Sequence, residues 1–178
     1  LKREFKLPII GVIKPGVRAA VRATKNGHIG IIGTRSTIAS GAYESALKSE
    51  AGRVGKKINC FAHPCPLFVP LVEEGYINKP ATKLIAEEYL LPLKSKGIDT
   101  LILGCTHYPL LKQVIKEVMG EEITLVDSTC VAEEIKYLIK ATSKSKLEIY
   151  FTDIQPNHTK ILKNFVEFPL PAIKPLIL

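Results

Sequence analysis

Short apolar runs alternate with helix-patterned segments along the whole chain, and that alternation sets the fold class. The runs are PIIGVI (8–13), HIGIIG (28–33), INCFA (58–62), TLILG (100–104), ITLVD (123–127) and LEIYFT (147–152). Each is five or six residues long and mostly apolar, the pattern of a strand buried on both faces. Helix signals fill the gaps. Pro15-Gly16 opens one segment that Asn26-Gly27 can cap, and Thr34 precedes another that runs to about residue 48. An apolar turn ends at Gly75, and 80–94 is amphipathic, with Leu84, Ile85, Tyr89 and Leu93 at helical spacing. Further helices are expected over 110–119, closed by Gly120, over 132–140 and over 158–166. Strands separated by helices predict an α/β fold, a parallel sheet with helices on both faces.

In such sheets ligands bind beyond the carboxyl ends of the strands. The residues expected there are Thr34 and Thr37, then His63 and Cys65, then Cys105, Thr106 and His107, then Asp127, Ser128 and Thr129. The densest group lies in LILGCTHYPLL (101–111), where a thiol, a hydroxyl and an imidazole adjoin at a strand's end. A helix begun by Pro109 would set Cys105 at the positive end of its dipole. His107 beside it would add to that effect, so the thiol is expected below the usual ~8.5. Thr106 and free backbone amides could hold a carboxylate. A lone cysteine is more often an inert, buried small hydrophobe, but the company of Thr106 and His107 favours function.

Composition narrows the classes. A hydrophobic fraction of 46% excludes a disordered tail. Lys plus Arg number 25 against 17 acidic residues, a net +8, but they are spread along the chain without a nucleic-acid module. A solvated basic surface is expected, and no nucleic-acid partner. The four cysteines lack the dense spacing of a secreted disulfide scaffold, which indicates a reducing cytoplasm. No apolar run approaches the ~20 residues of a membrane span. Cys60, His63, Cys65, Cys105 and His107 could ligate zinc by type, yet they do not form two tight ligand hooks around a loop. A cysteine hydrolase would need a histidine held beside the thiol by an Asn or Asp, and neither His63 nor His107 is clearly that partner.

The stretch LGCTHYPLL resembles the signature around the second catalytic cysteine of the glutamate racemases. LPIIGVIKPG, IGIIGTRSTIASGAY, HPCPLFVPLVEEG, IDTLILGCTHYPLL and LVDS resemble that family in the same order. The resemblance implies a two-domain α/β architecture with the active site in the cleft between domains. It also implies interconversion of L- and D-glutamate by two cysteines, without a cofactor or metal. Inverting a carbon by proton transfer needs a base on one face and an acid on the other, and thiols can supply both states near neutral pH. By resemblance, Cys105 and His107 are catalytic, and Thr106, His107, Thr37 and Thr34 bind substrate. Glu73 is a possible assisting carboxylate near the ammonium. A homodimer of the full-length protein and a cytoplasmic role supplying D-glutamate for peptidoglycan follow from the same likeness.

The family's DSG, PYG and CNT motifs do not occur in these 178 residues. Residues 1–18 are therefore expected to end an N-terminal α/β domain that is largely missing. Residues 19–126 would form a complete second α/β domain, and 127–178 would return to the first. With one of two bases present, and Cys60, Cys65 and Cys130 expected to be structural, the isolated chain should be inactive. An aspartate-type racemase of the same superfamily and an inactive ligand-binding fragment are the alternatives.

Overall fold

A computed structural model of the chain describes residues 4, 8–136, 148–152, 159, 162–163 and 171–176. Its centre is a parallel sheet of β1 (His28–Gly33), β2 (Asn59–Pro64), β3 (Thr100–Leu103) and β4 (Thr124–Val126), in the order β2-β1-β3-β4. Ile29 pairs with Cys60 on one side and with Thr100 on the other, so β1 is interior. The helices are α1 (Ile13–Ala23), α2 (Arg35–Ala39), α3 (Ala42–Val54), α4 (Phe68–Glu73), α5 (Pro80–Lys94), α6 (Lys112–Met119) and α7 (Val131–Ile135), with 3₁₀ turns at Tyr108–Leu111 and Ser128–Cys130.

Side chains alternate across the sheet with the period of two that a strand imposes. Ile29, Ile31, Ile102 and Val126 join Val17, Ala20 and Val21 of α1 and Tyr43 and Leu47 of α3 in one core. On the opposite face, Ile32, Leu101 and Leu103 meet Phe68, Val72, Leu90, Ile115 and Met119 from α4, α5 and α6. Each such side chain, fully withdrawn from water, contributes about 1.5–3 kcal/mol. The expected α/β fold with helices on both faces is what the chain adopts.

Local expectations change in several places. Residues 8–12 form no strand, and Ile13 already opens α1. Among the described residues no strand lies alongside that segment, so no ladder holds it extended, and Ile10 and Val12 stay exposed. The helix expected from Thr34 onwards divides into α2 and α3 because Gly41 takes a left-handed φ of 61°, which a side chain would resist. Leu84 is exposed on α5; the buried stripe is Thr82, Ala86, Leu90 and Leu93, flanked by Ile85 and Tyr89. The segment 110–119 starts as a 3₁₀ turn before α6. The last expected strand is β5 (Ile149–Phe151), and it pairs in parallel with an unanticipated β6 (Ile173–Pro175). The helix expected over 158–166 lies largely outside the described residues, as do residues 137–140 of the one expected after Ala132.

Candidate active site

The strand order places the site. The chain leaves β1 for β2 through α2 and α3, and α3 packs on the α1 face. It leaves β3 for β4 through α6, on the opposite face. The connections of these neighbouring strands diverge, which opens a crevice beyond their carboxyl ends. Thr34 follows β1 there, and Cys105 follows β3.

Gly104 brings the two loops together. Its amide donates to the Ile32 carbonyl at 2.7 Å. A Cβ at position 104 would stand 2.7 Å from that oxygen and 3.1 Å from the Tyr43 ring, so only glycine fits. Cys105 is half-buried at the next position. Its sulfur lies 3.8 Å from Nδ1 of His107, and the Nε2 of that ring lies 3.3 Å from Glu73 at the end of α4. Thiol, imidazole and carboxylate thus form one chain of contacts. Thr106 is exposed at the tip of the loop.

The charge state of Cys105 departs from expectation. Burial pushes its thiol above the ordinary value, and the Glu73 carboxylate adds to the rise. Hydrogen bonding with the backbone of His107 and Tyr108 pulls the other way without prevailing. No α-helix dipole serves the thiol directly, since a 3₁₀ turn intervenes before α6. Desolvation outweighs local donors here.

Across the crevice, Thr34 caps α2. Its Oγ1 accepts from the Thr37 amide at 3.2 Å and lies 2.9 Å from the Thr37 hydroxyl. Both hydroxyls are partly buried, and they are suited to hold a carboxylate. The third strand end is different. Cys65 is fully buried and its thiol is pushed far up by burial. His63 packs against Tyr89 with ring centroids 5.9 Å apart. Asp127 serves structure: it accepts from the Thr129 amide at 2.8 Å and pairs with Lys112. Burial raises its pKa, but Lys112 and Thr129 outweigh that and hold it below the usual range. Cys130 donates to the Asp127 carbonyl at 2.9 Å, and Cys60 is pushed up to about 11 by burial and Glu44. Among the described residues, no three His, Cys, Asp or Glu side chains are grouped to hold a metal ion, and no helix is long and apolar enough to cross a membrane.

Two site residues escaped the sequence reading, Tyr43 and Tyr108. Tyr43 lies against Gly104, where the charge of Cys130 and Cys105 adds to the rise that burial gives its phenol. The phenol of Tyr108 donates to the Cys65 carbonyl at 2.8 Å. Tyr43 looks like an ordinary core aromatic in the sequence, and only the fold sets it against Gly104. Tyr108 adjoins His107 in the chain, and the fold turns it into the core beneath the loop.

Comparison with known proteins gives one consistent answer. The family model described as Asp/Glu/Hydantoin racemase matches residues 1–134. The glutamate racemase of Aquifex aeolicus is 48% identical over 164 residues, 92% of this chain and 61% of its own length. That of Chlorobaculum tepidum is 42% identical over 176 residues, 94% of this chain and 63% of its own. Among solved structures, a glutamate racemase isoform from Bacillus anthracis superposes with a TM-score of 0.88 at 32% identity, over 99% of this chain and 67% of that one. The Francisella tularensis glutamate racemase, solved in complex with D-glutamate, gives 0.81 at 29% identity, over 97% and 64%. The chain thus spans less than two thirds of the length of both curated relatives.

Proposed function

The chain belongs to the Asp/Glu/hydantoin racemase family, and we propose that it is the Cys105-bearing part of a glutamate racemase. The contact chain from Cys105 through His107 to Glu73, at the crevice where the β1 and β3 connections diverge, carries this reading. Cys105 exchanges a proton with the α-carbon from one face. In one direction its thiolate takes the α-proton and a thiol on the opposite face returns one; in the other, Cys105 as thiol gives its proton to the carbanion. A thiol whose burial favours the neutral form suits the donor role directly. The backbone of His107 and Tyr108 favours the base form without outweighing burial. Thr34 and Thr37 hold a substrate carboxylate, Thr106 and the loop amides a second contact, and Glu73 the ammonium.

With this reading go glutamate as substrate, no cofactor, a homodimer, and a cytoplasmic supply of D-glutamate for peptidoglycan. So does a division in which 19–126 is one domain while 1–18 and 127–178 belong to the other. Cys60, Cys65 and Cys130 are each engaged elsewhere, so the second thiol is not among them and the 178-residue chain alone is silent.

The test follows loss of the α-proton and change of optical rotation for L- and D-glutamate in D₂O, with aspartate as comparison. The 178-residue chain runs beside the same chain extended at its N-terminus with the matching segment of a glutamate racemase. The extended protein should invert glutamate, and Cys105→Ser in it should abolish inversion while keeping the fold. Near-normal inversion by that variant would end the proposal.

A further inference from the structure

The Cys105 loop is closed by two backbone bonds, from the Tyr108 amide to the Cys105 carbonyl and from the Leu110 amide to the His107 carbonyl, each 3.2 Å. Hydrogen bonding with the backbone of His107 and Tyr108 also pulls the Cys105 pKa down against burial, which favours thiolate over thiol. Such a loop keeps its aim only if the core holds it. Thr106 faces solvent and Pro109 has no amide to give.

Tyr108 is the residue of the loop that enters the core. It is fully buried. Its hydroxyl donates to the Cys65 carbonyl at 2.8 Å, and its ring meets Phe68 edge-on at 5.2 Å and 84°. The acceptor is itself fixed, because the Cys65 amide donates to the Gly33 carbonyl at 2.8 Å. Cys65 follows β2 and Cys105 follows β3, with β1 between them. Tyr108 is therefore a strut across two strand spacings, roughly 9–10 Å. The same residue gives the amide that bonds the Cys105 carbonyl.

We propose that Tyr108 is a positioning residue for Cys105: its hydroxyl bond to Cys65 and its packing on Phe68 fix the amide that bonds the Cys105 carbonyl, and with it the placement of the thiol. Its bearing on proton transfer rests on the racemase reading, whereas its effect on the thiol does not. A tyrosine that merely fills the core would alter stability and leave the chemistry of one particular thiol unchanged.

The experiment measures iodoacetamide labelling of each cysteine-containing peptide of the 178-residue chain between about pH 7 and 10. Tyr108→Phe keeps the ring and removes the hydroxyl. Labelling of Cys105 should fall about threefold at neutral pH, its midpoint moving up by about half a unit, with Cys60 and Cys130 unchanged. An unaltered Cys105 profile would overturn the proposal, as would increased labelling of all four cysteines, which marks general loosening. If Tyr108→Phe loses the wild-type circular dichroism spectrum, Phe68→Leu takes its place, since it keeps the Tyr108 hydroxyl and removes the ring packed against it. A selective fall at Cys105 is again required there, and its absence is decisive against the strut. Racemisation by the extended protein is read separately. Activity surviving in Cys105→Ser would remove the racemase reading and leave the labelling result standing.

Discussion

Nε2 of His107 lies 3.3 Å from the Glu73 carboxylate, and the other nitrogen of the ring faces the Cys105 sulfur. The negative charge of Glu73 helps hold the Cys105 thiol up. Glu73→Gln should therefore lower the Cys105 pKa and raise its iodoacetamide labelling at neutral pH about twofold. That is opposite in sign to the effect of Tyr108→Phe. Because the Glu73 side chain is 50% exposed, stability should change by no more than about 0.5 kcal/mol in urea unfolding.

Three of the four thiols should separate by burial. Cys65, with no exposed surface, should label last, and only as the protein opens. Cys60, pushed to about 11, should remain slow until strongly alkaline pH. Cys105 should label faster than either, yet more slowly at neutral pH than a cysteine in a short peptide. Peptide-resolved mass spectrometry over time gives this order. Labelling of Cys65 ahead of Cys105 in native protein would contradict the placement of both.

Gly104→Ala should be costly in a way few surface changes are. The added methyl would stand 2.7 Å from a carbonyl that the Gly104 amide already uses. The ends of β1 and β3 would have to part, at a cost of about 1–3 kcal/mol by the usual scale of overpacking. A reduced urea midpoint with unchanged slope is the expected result. The Cys105 labelling profile should shift as well, because the loop begins at the next residue.

Asp127 links the fold to acid. Its folded-state pKa is below its unfolded value, since Lys112 and Thr129 outweigh burial. The contribution is thus complete above the unfolded value near 4 and lost as pH falls through the lower, folded one. Asp127→Asn keeps an acceptor for the Thr129 amide but loses the charge. Its unfolding free energy should lie below wild type at neutral pH, by about 1–3 kcal/mol for a charge-assisted bond. The gap should narrow as wild type is acidified. Parallel urea titrations at several pH values would reveal it, and a constant gap would exclude the ion pair as its source.

How far the sequence speaks depends on the kind of interaction. HIGIIG, TLILG and 80–94 are legible because burial on a strand or helix leaves a periodic trace in the chain itself. Cys105, Thr106, His107, Thr34 and Thr37 are legible as a crevice group because strand ends and helix starts locate them. PIIGVI is misleading: an apolar run becomes a strand only beside another, and Ile10 and Val12 have none among the described residues. The raised thiol of Cys105 is equally hidden. Desolvation by packed neighbours decides it, and those neighbours come from elsewhere in the sequence. Tyr43 meets Gly104, and Tyr108 meets Phe68 and the Cys65 carbonyl, through contacts that leave no periodic pattern.

Every pairing in the four-stranded sheet is parallel, and Ile29 of the interior strand takes Cys60 on one side and Thr100 on the other. During synthesis the first of these partners emerges well before the second. For that interval β1 has one flank open, with the apolar side chains that later meet α5 and α6 still uncovered. No hairpin can shield it, because no neighbouring strands in this sheet are joined by a tight turn. Long-range parallel pairing is slow to form and exposed to aggregation while it waits. The strand that lines the crevice is thus the one most in need of protection on the ribosome, and yield in cells should respond to chaperone supply more sharply than the stability of the finished fold would suggest.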